Sequence, residues 1–92
     1  MEKQRIRNLG NRYFTRRPIS IHVYRDSKGL YNSEFPEGNL HTNGYKKTQA
    51  IDNLKSLIID MYEILNKTPI VNLSSKLQKK KRILEDLVER IV

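Results

Sequence analysis

The side chains able to do metal or acid–base chemistry are few and are spread along the chain. Three acids occur in the strand-like part of the sequence: Asp26, Glu34 and Glu37. A metal-dependent nuclease needs several carboxylates that converge on its ions. Asp26 fits a turn instead, and the two glutamates flank a proline. His22 and His41 would pair across neighbouring strands, but two imidazoles without a third ligand are more often sheet-surface residues. We therefore expect no catalysis, no metal and no cofactor.

The strongest chemical signal is the excess of basic side chains. The net charge is +8 over 92 residues, and there is no cysteine. Such a balance favours anionic partners: nucleic acid, an acidic protein surface or an anionic membrane. The cations are concentrated in residues 1–17 and in residues 76–82, whose sequence is KLQKKKR.

Residues 1–17 are predicted to form a mobile basic arm, because they have little apolar content and no clear period. Tyr13 and Phe14 stand among arginines, and aromatic residues interleaved with arginine suit nucleic-acid contact by stacking and phosphate pairing. The alternative is a solvated tail whose aromatics dock on the domain. The candidate nucleic-acid contacts in this arm are Arg5, Arg7, Arg12, Tyr13, Arg16 and Arg17.

Two further groups of cations accompany the predicted helices. Lys46 and Lys47 precede the first helix, where cations oppose the helix dipole. They are either an anion site formed with free amide groups or two solvated lysines at a frayed end. Tyr45 beside them either stacks on a base or is an ordinary half-buried aromatic at the sheet edge. The second group is either a phosphate clamp or a solvated helix face; it comprises Lys76, Lys79, Lys80, Lys81 and Arg82.

The strands that would position these groups are indicated by period-two alternation. Residues 19–24 alternate apolar and polar side chains, as a half-buried strand does. Residues 26–29 begin with Asp and end with Gly, which suits a type I turn closed by a left-handed glycine. Residues 30–35 then form the returning strand, and residues 39–43 a short third strand.

The helices follow from apolar residues at three- and four-residue steps. Residues 47–66 carry one broad apolar stripe, and Pro69 ends this long helix. Residues 74–91 form a second amphipathic helix that opens at Ser74 or Ser75, where Ser75 and Gln78 fit a capping box. The predicted fold is α+β: a single domain over residues 18–92 with a three-stranded antiparallel sheet packed on a long helix, plus the C-terminal helix.

The last helix has an apolar side that can be buried in two ways. It either folds back on the open face of the sheet or packs against another subunit. Strand edges offer a second route to self-association, and we expect a homo-oligomer. The apolar side comprises Ile83, Leu84, Leu87, Val88, Ile91 and Val92, and the predicted interface is Leu84, Leu87, Val88 and Ile91.

Membrane insertion and secretion are not indicated. No stretch is apolar for long enough to span a bilayer, and the basic start of the chain has no apolar core behind it, unlike a secretory signal. We expect a cytoplasmic protein without membrane contact.

The run YRDSKGLYNSEFPEGNLHTNGYKKTQAIDNLKSLIIDMYEIL has a recognisable order of features. An acidic turn ends in glycine, an aromatic strand and a proline follow, and a short strand closes on glycine before a helix with an Ala, Asn, Leu signature. The residues that carry this order are Asp26, Gly29, Tyr31, Pro36, Gly44, Ala50, Asn53 and Leu54. Over about residues 19–66 the chain resembles the HicB-like antitoxin domain. The resemblance implies a truncated RNase H-like sheet with a helix packed across it.

The resemblance also implies a function. HicB-like proteins bind and silence small RNA-cleaving toxins, and many repress their own operon through an appended DNA-binding module. Here residues 74–92 predict one helix instead, and Tyr45, Lys46 and Lys47 stand where the family often has Thr and acids. A charge of +8 also suits a basic toxin poorly. The resemblance implies a non-catalytic module that acts through a protein partner, with toxin neutralisation as its activity. The residues leave open an alternative, an accessory protein that clamps DNA or RNA phosphates.

Overall fold

A computed structural model describes residues 1–91. Its elements, in chain order, are β1 (Glu2–Gly10), β2 (Tyr13–Arg25), β3 (Tyr31–Phe35), β4 (Leu40–Gly44), α1 (Lys47–Lys67), a short 3-10 helix (Ile70–Asn72), α2 (Ser75–Leu87) and β5 (Val88–Arg90). The predicted α+β class is confirmed, but the prediction of three strands is wrong, because the antiparallel sheet has five. Val92, predicted on the apolar side of the last helix, lies outside the described residues.

Strand β2 is the centre of the sheet. It pairs with β1 along one edge, and along its other edge with β5 at Tyr13–Thr15 and with β3 at His22–Arg25. Strand β4 then pairs with β3, which gives the order β1-β2-β3-β4. The inward side chains Ile19, Ile21 and Val23 of β2 are almost fully buried in the core formed with both helices. The opposite face of the sheet is left open.

The segment predicted as a mobile arm is a β-hairpin. Residues Glu2–Gly10 pair with β2, and Gly10, Asn11 and Arg12 turn the chain with positive φ angles of 91°, 51° and 66°. Two register shifts, between Ile6 and Asn8 and between Asn8 and Gly10, interrupt the pairing. Irregularities of this kind break the period-two pattern by which a strand is recognised. The sequence pattern therefore failed to predict β1.

Pro18, the residue after the predicted arm, lies within β2. It falls between Thr15 and Ile19, where the pairing with β1 is interrupted, and proline is tolerated in a sheet at such an irregularity. Arg7 bridges the interruption: its guanidinium donates to the carbonyls of Thr15 and Arg16 at 3.3 and 3.4 Å. The interrupted stretch of β2 is thus held by the Arg7 side chain as well as by the backbone hydrogen bonds of the sheet.

The residues behind the HicB-like resemblance have structural roles. An Asp26 carboxylate oxygen accepts from the backbone N–H groups of Lys28 and Leu30 at 2.9 and 3.1 Å, and the other oxygen accepts from the Asn32 amide at 3.0 Å. These bonds, the one from Asn32 first, hold the pKa of Asp26 below its ordinary value. Gly29 has a φ of +87°, as the predicted turn requires.

The approach of α1 to the sheet depends on a glycine. A Cβ atom on Gly44 would lie 2.8 Å from the backbone nitrogen of Ala50, which is itself fully buried. The Ser33 hydroxyl donates to the Ala50 carbonyl at 2.6 Å, and the Asn53 amide donates to the Asn43 carbonyl at 2.9 Å. These contacts fix the start of α1 against β3 and β4.

The C-terminal helix is shorter than predicted. The Ser74 hydroxyl caps α2 by accepting from the Leu77 N–H at 3.3 Å, and the helix ends at Leu87, after which the chain joins the sheet as β5. Leu84, Leu87 and Val88 are at most 1% exposed in the chain's own core. Of the predicted interface residues, only Ile91 remains on the surface, at 54% exposure. The apolar side folds back onto the helix-covered face of the sheet, so the other three cannot contact a second subunit.

Replacing Gly44 by alanine is expected to lower the free energy of unfolding by about 1–3 kcal/mol, because the new methyl group overlaps backbone atoms of α1. Chemical denaturation measures the change. Thr48→Ala is the control, since Thr48 is exposed in the first turn of the same helix. Equal losses for the two variants would contradict the close approach at Gly44.

Asp26→Asn is expected to lower the melting temperature at neutral pH and to flatten its acid dependence. The folded pKa of Asp26 is depressed, so its contribution to stability is present above the unfolded value near 3.8 and is lost as pH falls through the lower folded value. Asparagine keeps one acceptor oxygen but cannot accept from Asn32. Melting curves of both proteins from neutral to strongly acidic pH should converge, and a constant gap would contradict this role.

Candidate binding surfaces

The open face of the sheet carries a row of polar residues across four strands. Lys3 is opposite His22, His22 opposite Glu34, and Glu34 opposite His41. Directly opposed residues share a face and lie close together. The two histidines are therefore not on neighbouring strands as expected, because β3 and its Glu34 lie between them. Within residues 1–91, no group of three His, Asp or Glu side chains has a geometry that could hold a metal ion.

Hydrogen bonds fix the middle of this open face. The Tyr24 hydroxyl donates to Glu34 at 2.9 Å, and this bond raises the pKa of Tyr24 above its ordinary value. The His41 ring lies 3.0 Å from the Asn32 side-chain oxygen, and Asn32 in turn donates to Asp26. A connected polar network of this kind gives the centre of the face a defined arrangement.

The β1 side of the open face is basic. Lys3, Arg5 and Arg7 are exposed, and Lys3 and Arg5 share this face with His22 and Ser20. Lys3 and Arg5 make no ion pair with any acid in residues 1–91. Lys3 was not among the predicted site residues. Recognising β1 as a strand would have revealed it, since the exposed Lys3 and Arg5 alternate with the half-buried Gln4 and Ile6.

A basic groove separates the first turns of α2 from the loop between β3 and β4. Its volume is about 540 Å³. The Lys80 ammonium donates to the Asn39 carbonyl across it at 3.3 Å. Lining residues include Pro36, Glu37, Lys76, Lys79, Lys80 and Ile83.

A second depression joins this groove to the open face. It shares Pro36 and Glu37 with the groove and is also lined by Arg5, Arg17 and His22. Arg17 forms an ion pair with Glu37 at 2.5 Å, which neutralises the carboxylate between the two depressions. The hydrogen bond to Glu37 raises the pKa of Arg17. The predicted cations Arg5, Arg17, Lys76, Lys79 and Lys80 thus lie along one continuous surface.

Several predicted contacts are not available for a ligand. Tyr13 is 6% exposed and packs edge-to-face on Tyr62 with ring centroids 6.0 Å apart, and this burial raises its pKa. The Lys81 ammonium points inward, donating to the Leu65 carbonyl at 2.6 Å and pairing with Glu85 at 2.8 Å. Tyr13 cannot stack on a base in this arrangement, and Lys81 ties α2 to the end of α1.

The remaining predicted cations are dispersed. Arg16 donates to the Asp86 carbonyl at 3.2 Å, and Arg12 lies in the hairpin turn, where its carbonyl accepts from Ile91. Arg82 is exposed on α2, outside the groove lining.

The residues at the start of α1 do not join the basic groove. Lys47 pairs with Glu2 at 2.5 Å, and its hydrogen bond lowers the pKa of that glutamate. Lys46 is exposed at the helix start. Tyr45, expected either to stack or to be half-buried, is 82% exposed, and its N–H donates to the Gln49 side chain at 2.7 Å. Neither lysine lines either basic depression.

No family model, curated protein or solved structure matches this chain. The HicB-like resemblance therefore depends on the chain's own residues alone. No helix within residues 1–91 is long and apolar enough to cross a bilayer.

Lys81→Ala is expected to destabilise the fold, whereas Lys79→Ala should leave its stability almost unchanged. The first variant loses a charged hydrogen bond to a backbone carbonyl, worth roughly 1.5–3 kcal/mol, whereas Lys79 is exposed. Urea denaturation of both variants measures the difference. Equal stabilities would contradict the inward orientation of Lys81.

Proposed function

We propose that this chain is a non-catalytic, HicB-like binding module that acts by covering a surface of a partner protein, as antitoxins of that family do. The observation that supports it is the strand–turn–strand–strand–helix unit over β2, β3, β4 and α1, held together by the very residues of the resemblance. Because those residues stabilise the fold, we expect the exposed residues around them to contact the partner.

The open sheet face is the best candidate for that contact. Its centre is fixed by the network around Glu34, and its β1 side presents Lys3 and Arg5. A fixed polar surface with cations along one side complements a partner that presents carboxylates. The same cations repel a basic protein, so an RNA-cleaving toxin bound here would have to present an acidic region.

The test is retention of a partner by the tagged full chain in an extract of its own organism. We expect a stoichiometric protein that is kept by the wild type and lost with the double variant Lys3→Glu, Arg5→Glu. Lys67→Glu is the matched control, because Lys67 is also exposed but lies at the end of α1. Circular dichroism of each variant verifies folding.

The retained protein is then expressed by itself and together with this chain. Growth arrest that this chain relieves would support toxin neutralisation. The absence of a stoichiometric partner, or equal retention by all variants, would rule out the proposed contact.

A second candidate function is nucleic-acid binding, and the continuity of the two basic depressions favours it. Arg5 and Arg17 on one side of Pro36, and the α2 lysines on the other, could follow a phosphate backbone without reading bases. Residues 1–17 cannot simply be deleted to test this, because they form β1 and part of β2. Single neutralising substitutions are needed instead.

For this second function, binding of a labelled random duplex should weaken steeply with salt. Each phosphate contact contributes about 0.9 to the slope of log affinity against log salt, so Lys79→Gln should flatten the slope by up to that amount. Lys67→Gln should leave it unchanged. Fluorescence anisotropy at low and physiological salt measures both, and equal slopes for the three proteins would mark the positive charge as incidental.

A further inference from the structure

The outer edge of β1 is an unused strand edge. Strand β1 is the last strand on its side of the sheet, and within residues 1–91 it pairs only with β2. Its first part is regular: five consecutive residues from Glu2 to Ile6 are each opposite a residue of β2. A regular edge strand presents unpaired N–H and C=O groups that can accept another strand.

The two sides of this edge differ in chemistry. On the open face the exposed side chains of this regular part are Lys3 and Arg5. On the other side lie Glu2, which is exposed and paired with Lys47, and the half-buried Gln4 and Ile6, of which Ile6 packs against the core. An added strand would therefore place every second side chain beside cations and the others beside partly apolar surface.

A second copy of the chain is a poor occupant of this edge. Antiparallel pairing of two β1 strands keeps their open faces together, so the cations of one copy would lie opposite those of the other. Like charges directly opposite each other destabilise a strand pair. Natural edge strands use such charges to prevent self-pairing.

We propose that the β1 edge binds an extended segment of the partner protein in which acidic and apolar residues alternate. The inference rests on the proposed protein-partner function and names the surface and chemistry of that contact. Backbone hydrogen bonds to β1 supply affinity, while carboxylates beside Lys3 and Arg5 supply specificity. Glu2 does not repel such a segment strongly, because Lys47 neutralises it.

The experiment uses the full chain and a short fluorescent peptide in which Glu and Val alternate. Two control peptides have the same composition: one is scrambled, and the other is N-methylated at alternate backbone amides, which removes donors but keeps charge. We expect both control peptides to bind at least about tenfold more weakly than the alternating peptide. The scrambled peptide loses the register of its side chains with β1, and the N-methylated peptide loses backbone hydrogen bonds. Arg5→Glu should weaken the alternating peptide similarly, and Lys67→Glu should not.

Amide hydrogen exchange locates the contact. Binding at this edge should protect alternate amides in Glu2–Ile6 and leave those of α2 unchanged. Equal binding of all three peptides, or protection confined to the α2 groove, would overturn the inference and indicate non-specific attraction to the basic surface.

The two proposals fail separately. If the extract experiment retains a partner but the alternating peptide does not protect β1, the edge inference is wrong and the proposed function stands. If the peptide protects β1 as expected but no partner is retained, the edge binds strands of this chemistry and the proposed function fails.

Discussion

The fold depends on the pairing of one long strand, β2, along both of its edges. Tyr13–Arg25 joins β1 on one side and both β5 and β3 on the other, so the N-terminal strand and the C-terminal strand both depend on it. Its inward residues Ile19, Ile21 and Val23 are also the floor of the core on which both helices pack. Loss of this strand would separate the N-terminal hairpin, the C-terminal strand and the helix layer at once.

The same arrangement explains why the charged residues lie where they do. With α1 and α2 on one face, the alternate side chains of β1 and β2 must point to the open face, and Lys3, Arg5, Ser20 and His22 among them are basic or polar. Some cations of this +8 chain serve as structural hydrogen-bond donors. Arg7 bridges an irregular stretch of β2, and Lys81 caps the end of α1. Among the exposed cations that remain, Lys3 and Arg5 lie on the open face and Arg17, Lys76 and Lys79 lie around Pro36, whereas Arg12, Lys46 and Arg82 lie elsewhere.

Local chemistry predicted the central unit well. The turn at Asp26–Gly29, the returning strand, the short third strand and the helix from Lys47 all lie within a residue or two of their predicted positions. Each follows from interactions between near neighbours: the Asp26 bonds, the positive φ of Gly29 and the apolar stripe of α1. The interruptions near Asn8 and Pro18 hid β1, because a register shift removes the alternation that marks a strand.

The sequence by itself determined that the chain is basic, that it folds as α+β and that residues 19–66 form a hairpin, a strand and a helix. Only the tertiary structure decided which cations share a surface and which form internal hydrogen bonds that stabilise the fold. Arg17 meets Glu37, and Lys80 meets Asn39, across 20 and 41 residues of sequence. Tyr13 and Lys81 turn inward although Arg12 and Arg82 beside them are exposed. Such outcomes depend on distant packing partners, which no local pattern contains.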